Sequence, residues 1–191
     1  MLTKILFLSA LYSITLAENS EPLFAFEDCG GTHLKFNNIS IKPLPIKLSK
    51  TDKIYLTANV DVMKDLPLDA ISDLQLTKLV DVGNDTMPID IPCLNDMGSC
   101  KLPVCDLFAK WYNSVICPFF TRAHVPCECP VRKTHFEGQD IQVEVPFDKI
   151  KGMIAYLASG QYKVEYRITD GLKKVNYSCL HIRAYVDVEK Q

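Results

Sequence analysis

After its first seventeen residues this chain has no long apolar run. Nothing beyond Leu16 approaches the roughly 20 apolar residues of a membrane span, so no later segment reads as a spanning helix. It also lacks an excess of one charge. Lys and Arg total 21 against 23 Asp and Glu, for a net charge of −2. Such a balance leaves no electrostatic footprint for nucleic acid. Catalytic patterns are missing too. There is no GxSxG elbow, no HExxH and no CxxC. Cys127-x-Cys129 has the wrong spacing, and no His pair at zinc-ligand spacing accompanies it. The carboxylates are scattered, so no acid–base pair stands out, and enzyme and metal-centre readings find no support. No repeat, linker or low-complexity tract divides the sequence.

The apolar run at the start has a different character. A single Lys4 precedes Ile5 to Leu16, and Thr15-Leu16-Ala17 suits a small-residue cleavage site. This predicts a secretory signal peptide over 1–17 and one mature domain over 18–191. Lys4 is the one charge lost, so the mature charge is −3.

All eight cysteines follow the expected cleavage point: Cys29, Cys93, Cys100, Cys105, Cys117, Cys127, Cys129 and Cys179. An even set on the secretory route reads as four disulfides. Three sequons, at Asn38, Asn84 and Asn176, agree with that route as N-glycosylation sites. Eight cysteines allow 105 pairings, and spacing does not choose among them. The six between Cys93 and Cys129 suit a loop cluster stapled to itself, which leaves Cys29 and Cys179 for each other.

Around the cysteines, alternation predicts strands. Ile54, Leu56, Ala58, Val60 and Val62 share one face, with Tyr55, Thr57, Asn59 and Asp61 opposite. Leu74, Leu76, Lys78, Val80 and Val82 repeat the pattern less cleanly. Leu34, Phe36, Ile39 and Ile41 suggest an extended segment with an irregularity at Asn37-Asn38, ended by Pro43 and Pro45. Ile141, Val143 and Val145 form another run, stopped by Pro146. Tyr162, Val164, Tyr166 and Ile168 precede the turn Asp170-Gly171, and a last strand is expected from Val175 to Val188. A short helix is expected within Leu102 to Ile116, with Pro103 in its first turn. The whole reads as all-β, an immunoglobulin-like two-sheet sandwich or β-cup with a short helix and Cys-rich loops at its rim.

One series of motifs narrows this. Phe26-Glu27-Asp28-Cys29 comes first, then Ile39-Ser40-Ile41-Lys42-Pro43-Leu44-Pro45-Ile46. Ile91-Pro92-Cys93, Gly98-Ser99-Cys100, Cys105-Asp106 and Cys117-Pro118 follow in order. Val125-Pro126-Cys127-Glu128-Cys129-Pro130 and Ser159-Gly160-Gln161-Tyr162-Lys163-Val164 complete it. In this order the chain resembles the ML-domain lipid-recognition family, in its ganglioside-activator branch. The resemblance implies bridges Cys29–Cys179, Cys93–Cys100, Cys105–Cys129 and Cys117–Cys127. It implies a bound lipid as ligand and no cofactor. The expected activity is non-enzymatic: a ganglioside-type glycosphingolipid is lifted from a membrane and presented to a lysosomal β-N-acetylhexosaminidase. Tyr156 departs from the pattern, standing where the family carries a membrane-facing tryptophan.

Taken by themselves, Ile54, Leu56, Val60, Leu74, Leu76, Val143, Val145, Val164, Tyr166 and Ile168 fill an ordinary sandwich core. Under the resemblance they become the wall of an apolar lipid cavity. Met153, Ile154, Tyr156 and Leu157, near Lys149 and Lys151, become a lip that meets an anionic membrane. Phe119-Phe120 and Trp111-Tyr112 are further contact candidates. His33, His124, His135 and His181 together would carry the mature charge from −3 to +1 near their ordinary pKa, favouring anionic membranes in an acidic compartment. Two alternatives stand beside this reading. One is an ML-family carrier of a sterol, fatty acid or phospholipid. The other is a glycosylated extracellular interaction sandwich with a filled core. The expected location is the secretory pathway, with the protein secreted, lysosomal or both.

Overall fold

The computed structural model describes residues 22–49, 52–83, 85–94, 96–111, 116–143 and 159–188. The expected signal peptide, Asn84, Tyr112, Val145 and the lip residues Met153, Ile154, Tyr156 and Leu157 lie outside the described residues.

Ten strands and two short helices make up the described chain: β1 (Phe24–Asp28), β2 (Leu34–Lys42), β3 (Ile46–Leu48), β4 (Ile54–Val62), β5 (Ile71–Val82), β6 (Asp85–Asp90), β7 (Lys101–Pro103), α1 (Val104–Trp111), α2 (Cys117–Arg122), β8 (Thr134–Val143), β9 (Gly160–Thr169) and β10 (Asn176–Val188). They form an all-β, two-sheet sandwich. The larger sheet runs β1-β10-β9-β5-β6, with β3 on β10 and β7 on β5; the smaller runs β2-β4-β8. Pairing is antiparallel except for β3 beside β10.

Register decides which residues face inward, because side chains alternate along each strand. On the smaller sheet Leu56 lies opposite Ile41 and Ile141, and Val60 opposite Phe36 and Phe136. Leu34 and Phe36 are separated from Ile39 and Ile41 by one residue too many for strict alternation. A bulge between Phe36 and Asn38 absorbs the extra residue and keeps all four on the same face. On the larger sheet Leu74 lies opposite Tyr166, Leu76 opposite Val164, and Val164 opposite Ile182.

The sandwich is packed tightest at one end. There Val62, Leu66, Ala70, Val104, Phe108, Val131, Ile168 and Tyr177 form a buried cluster. Short α1 owes its place to this packing, since eight residues make a marginal helix alone. It buries Val104 and Phe108, and Lys110 in its last turn pairs with Asp96 at 2.6 Å. Pro103 precedes the helix as the last residue of β7 rather than entering its first turn. Helix α2 was not anticipated, although Pro118 in its first turn is a start signal. β8 begins at Thr134, well before the expected run. Gly138 and a bulge opposite Leu56–Ala58 break its alternation.

Candidate functional site

The two sheets approach each other closely along one edge, where β1 and β10 meet β2. There Ile46, Ile54 and Ala184 close the gap, with Phe24, Ile41 and Ile182 against them. Helix α2 covers the other flank, packing on β8. Its Phe119 and Phe120 contact Phe136 with ring centroids 5.7 Å apart, and Phe120 meets Phe108 at 5.5 Å. These two phenylalanines are half-buried in that packing. Trp111 is half-buried.

Between these packed margins the inward faces behave differently. Leu56, Leu74, Leu76, Val143, Val164 and Tyr166 all face inward, yet each is only half-buried. In a filled sandwich these positions would be the most buried of all. Ile54, Val60 and Ile168 are instead buried, at 6%, 2% and 3% exposure. Of these, Ile54 and Ile168 belong to the packed margins.

Tyr166 packs against the helical-end cluster while its side chain stays half-buried. Burial pushes its phenol above the ordinary value, against the opposing pull of a hydrogen bond with Ser72.

The apolar inner face continues past the covered part of the sheet. The row runs from Leu76 through Lys78 to Val80 and Val82, with Ile89 opposite Lys78 and Met87 opposite Val80 on β6. Val82, Met87 and Ile89 are 54%, 52% and 50% exposed. Sequence reading overlooked Met87 and Ile89. Their alternation spans only two residues, and Pro88 between them points to the other face.

Four disulfides fix the frame: Cys29–Cys179, Cys93–Cys100, Cys105–Cys129 and Cys117–Cys127. The first joins the end of β1 to β10 across 150 positions. Chain-entropy reasoning assigns such a closure about 5 kcal/mol. Cys105–Cys129 and Cys117–Cys127 tie the helical segment to the loop before β8, at the packed end. In the Cys93–Cys100 loop Gly98 has φ +90°, and a Cβ there would collide with the Pro92 carbonyl. Cys29, Cys179 and His181 lie close together, but both sulfurs are committed to the bridge and offer no thiolate to a metal.

The histidines occupy unlike settings. Burial and then Lys64 hold the His33 imidazole below its ordinary value. His135 Nδ1 lies 2.6 Å from Asp61 Oδ1. His181 lies 3.8 Å from Glu27, with its Nε2 buried and unpartnered. His124 is exposed with φ +57°. His33 therefore does not join a common titration near the ordinary histidine value. Asn38 and Asn176 are exposed, and the Asn176 amide donates to the Gly30 carbonyl at 2.9 Å. No described helix is long and apolar enough to cross a membrane.

No family model matches the chain, and no curated protein does. Among solved structures it is similar to a Niemann-Pick type C2 protein from Japanese carpenter ant. Identity is 14%, over 85% of this chain and 99% of that one, with a TM-score of 0.40. A likeness of that strength supports no inference about function.

Proposed function

We propose that this chain is a non-enzymatic lipid carrier of the ML-domain type, with the lipid held between the two sheets. The observation that carries the proposal is the row of inward-facing apolar side chains left half-buried between packed margins. A two-chain lipid hides roughly 30 methylenes, and exposing them costs on the order of 24 kcal/mol. Only an enclosing apolar surface offsets a cost of that size. The order of the cysteine motifs supports the finer reading. In it the ligand is a ganglioside-type glycosphingolipid, presented to a lysosomal β-N-acetylhexosaminidase. The apolar hairpin of β5 and β6 extends the inner face outward and suits a rim that meets the membrane. Four bridges require an oxidising compartment, which supports a secretory-pathway protein, processed after residue 17 into one domain. Exposed Asn38 and Asn176 suit glycosylation there.

Native mass spectrometry of the protein purified from a eukaryotic secretion host tests this. A co-purifying glycosphingolipid, and faster hydrolysis of membrane-embedded ganglioside by a hexosaminidase, are the expected results. A sterol, fatty acid or phospholipid instead would keep the carrier and replace its ligand. Lipid-free protein that transfers nothing between liposomes would overturn the carrier and favour an interaction sandwich.

A further inference from the structure

His181 follows Cys179 by two positions on β10, so the two share a side of the strand. One of its ring nitrogens lies within 4.8 Å of both sulfurs of the Cys29–Cys179 bridge. Its Nδ1 is 3.8 Å from Glu27, while its Nε2 is buried and makes no hydrogen bond. A buried ring nitrogen without a partner is uncommon and calls for an explanation. Charged groups surround it. Register places Glu27 of β1 and Glu165 of β9 directly across from it. Glu165 is already held by Lys163 at 2.6 Å and by Arg167 at 3.9 Å, and Arg183 stands two positions further along β10. Glu27 is therefore the group that favours the imidazolium most directly.

The two sulfurs differ in access. Cys179 is 5% exposed, whereas Cys29 is half-buried. An incoming thiolate reaches Cys29 more easily, and access decides which sulfur is attacked. Attack there puts the departing electron pair on the Cys179 sulfur, beside His181.

We propose that Cys29–Cys179 is a thiol-exchange site whose substrate is a small thiol, with His181 as the proton donor. The thiolate bonds to the Cys29 sulfur as the Cys29–Cys179 bond breaks. Cys179 leaves with the electron pair and takes a proton from the His181 imidazolium. The products are a mixed disulfide on Cys29, a Cys179 thiol and a neutral His181. The Cys29 N–H donates to the Cys179 carbonyl at 3.1 Å, so backbone pairing holds the two residues together and the reverse exchange restores the bridge. A nearby imidazolium lowers a thiol pKa from about 8.5 to about 3.5–7.5, and a thiol of lower pKa leaves faster. The site lies apart from the inner apolar face and does not depend on the carrier reading.

The test treats wild type, H181Q and E27Q with glutathione between about pH 5 and about pH 8, the range in which histidine titrates. Free thiols are trapped by alkylation, adducts are located by peptide mass spectrometry, and rates are expressed per glutathione thiolate. Wild type should carry its first adduct on Cys29 and react about tenfold faster at the acid end than at the alkaline end. H181Q should lose that pH dependence, falling about tenfold below wild type at the acid end with its melting temperature unchanged. E27Q should shift the rise to lower pH. H181Q reacting as fast as wild type throughout, or first adducts on Cys179, overturns the proposal. Should H181Q prove destabilised, E27Q decides, because the Glu27 side chain is 75% exposed: a pH profile identical to wild type overturns the role of His181.

Discussion

The two ends of the inner face are built from similar residues and pack differently. At the helical end Phe108, Val62 and Ile168 are buried against one another, and two bridges tie the covering loops. Toward the middle Leu56, Leu74, Val143 and Val164 keep part of their surface open. Hydrophobicity alone therefore does not fill a sandwich. Among the described residues the filled end has a third layer, α1 and α2, and the middle has two sheets facing each other. Tight and looser packing are separated along one set of strands.

This separation can be broken at either end. Phe108→Ala should have the largest effect. It removes a fully packed ring and should cost about 3–5 kcal/mol, read from the denaturant midpoint. A loss below 1 kcal/mol would mean that the helical end is as loosely filled as the middle. Val164→Phe should be milder for the fold and severe for function. Adding a ring to a packed core costs about 1–3 kcal/mol. In an open middle the change in stability should fall below that range while lipid transfer drops. A destabilised variant with full transfer would place the open space elsewhere.

The smallest effect concerns pH at the packed end. His33 stacks edge-on against Tyr177 with centroids 4.5 Å apart, and its pKa is lowered in the fold. A depressed value means that the folded state prefers the neutral ring. Its contribution to stability is present above the unfolded value, about 6.5, and is lost as pH falls through the folded value. Wild type should therefore lose slightly more stability than His33→Asn on going from neutral to acidic pH. An NMR titration of His33 at or above the ordinary value would contradict the assignment.

Much of the scaffold was legible because one-sided burial writes itself into alternation. The β4 pattern of Ile54 to Val62 and the β9 pattern of Tyr162 to Ile168 give both sheets an inward face. The interruption at Asn37-Asn38 marked a real bulge. β6 escaped notice because every residue in it is exposed and Pro88 interrupts it. The half-burial of the middle was not legible from alternation. A leucine at position 74 reads the same whether it faces another side chain or empty space, and only the facing sheet decides. Lys78 was visible as a break in the pattern. Its neighbours Gly160 and Tyr162 are more than eighty positions away in sequence but adjacent to it across the sheet.

The Cys29–Cys179 bridge changes how the molecule responds to proteolysis. It links residues near the two ends of the described chain, so everything between them forms a closed covalent ring. A protease that cuts once at any loop within that ring opens it without producing two fragments. The severed ends stay tethered beside strands that are still paired, and the nicked protein keeps its mass until a reductant arrives.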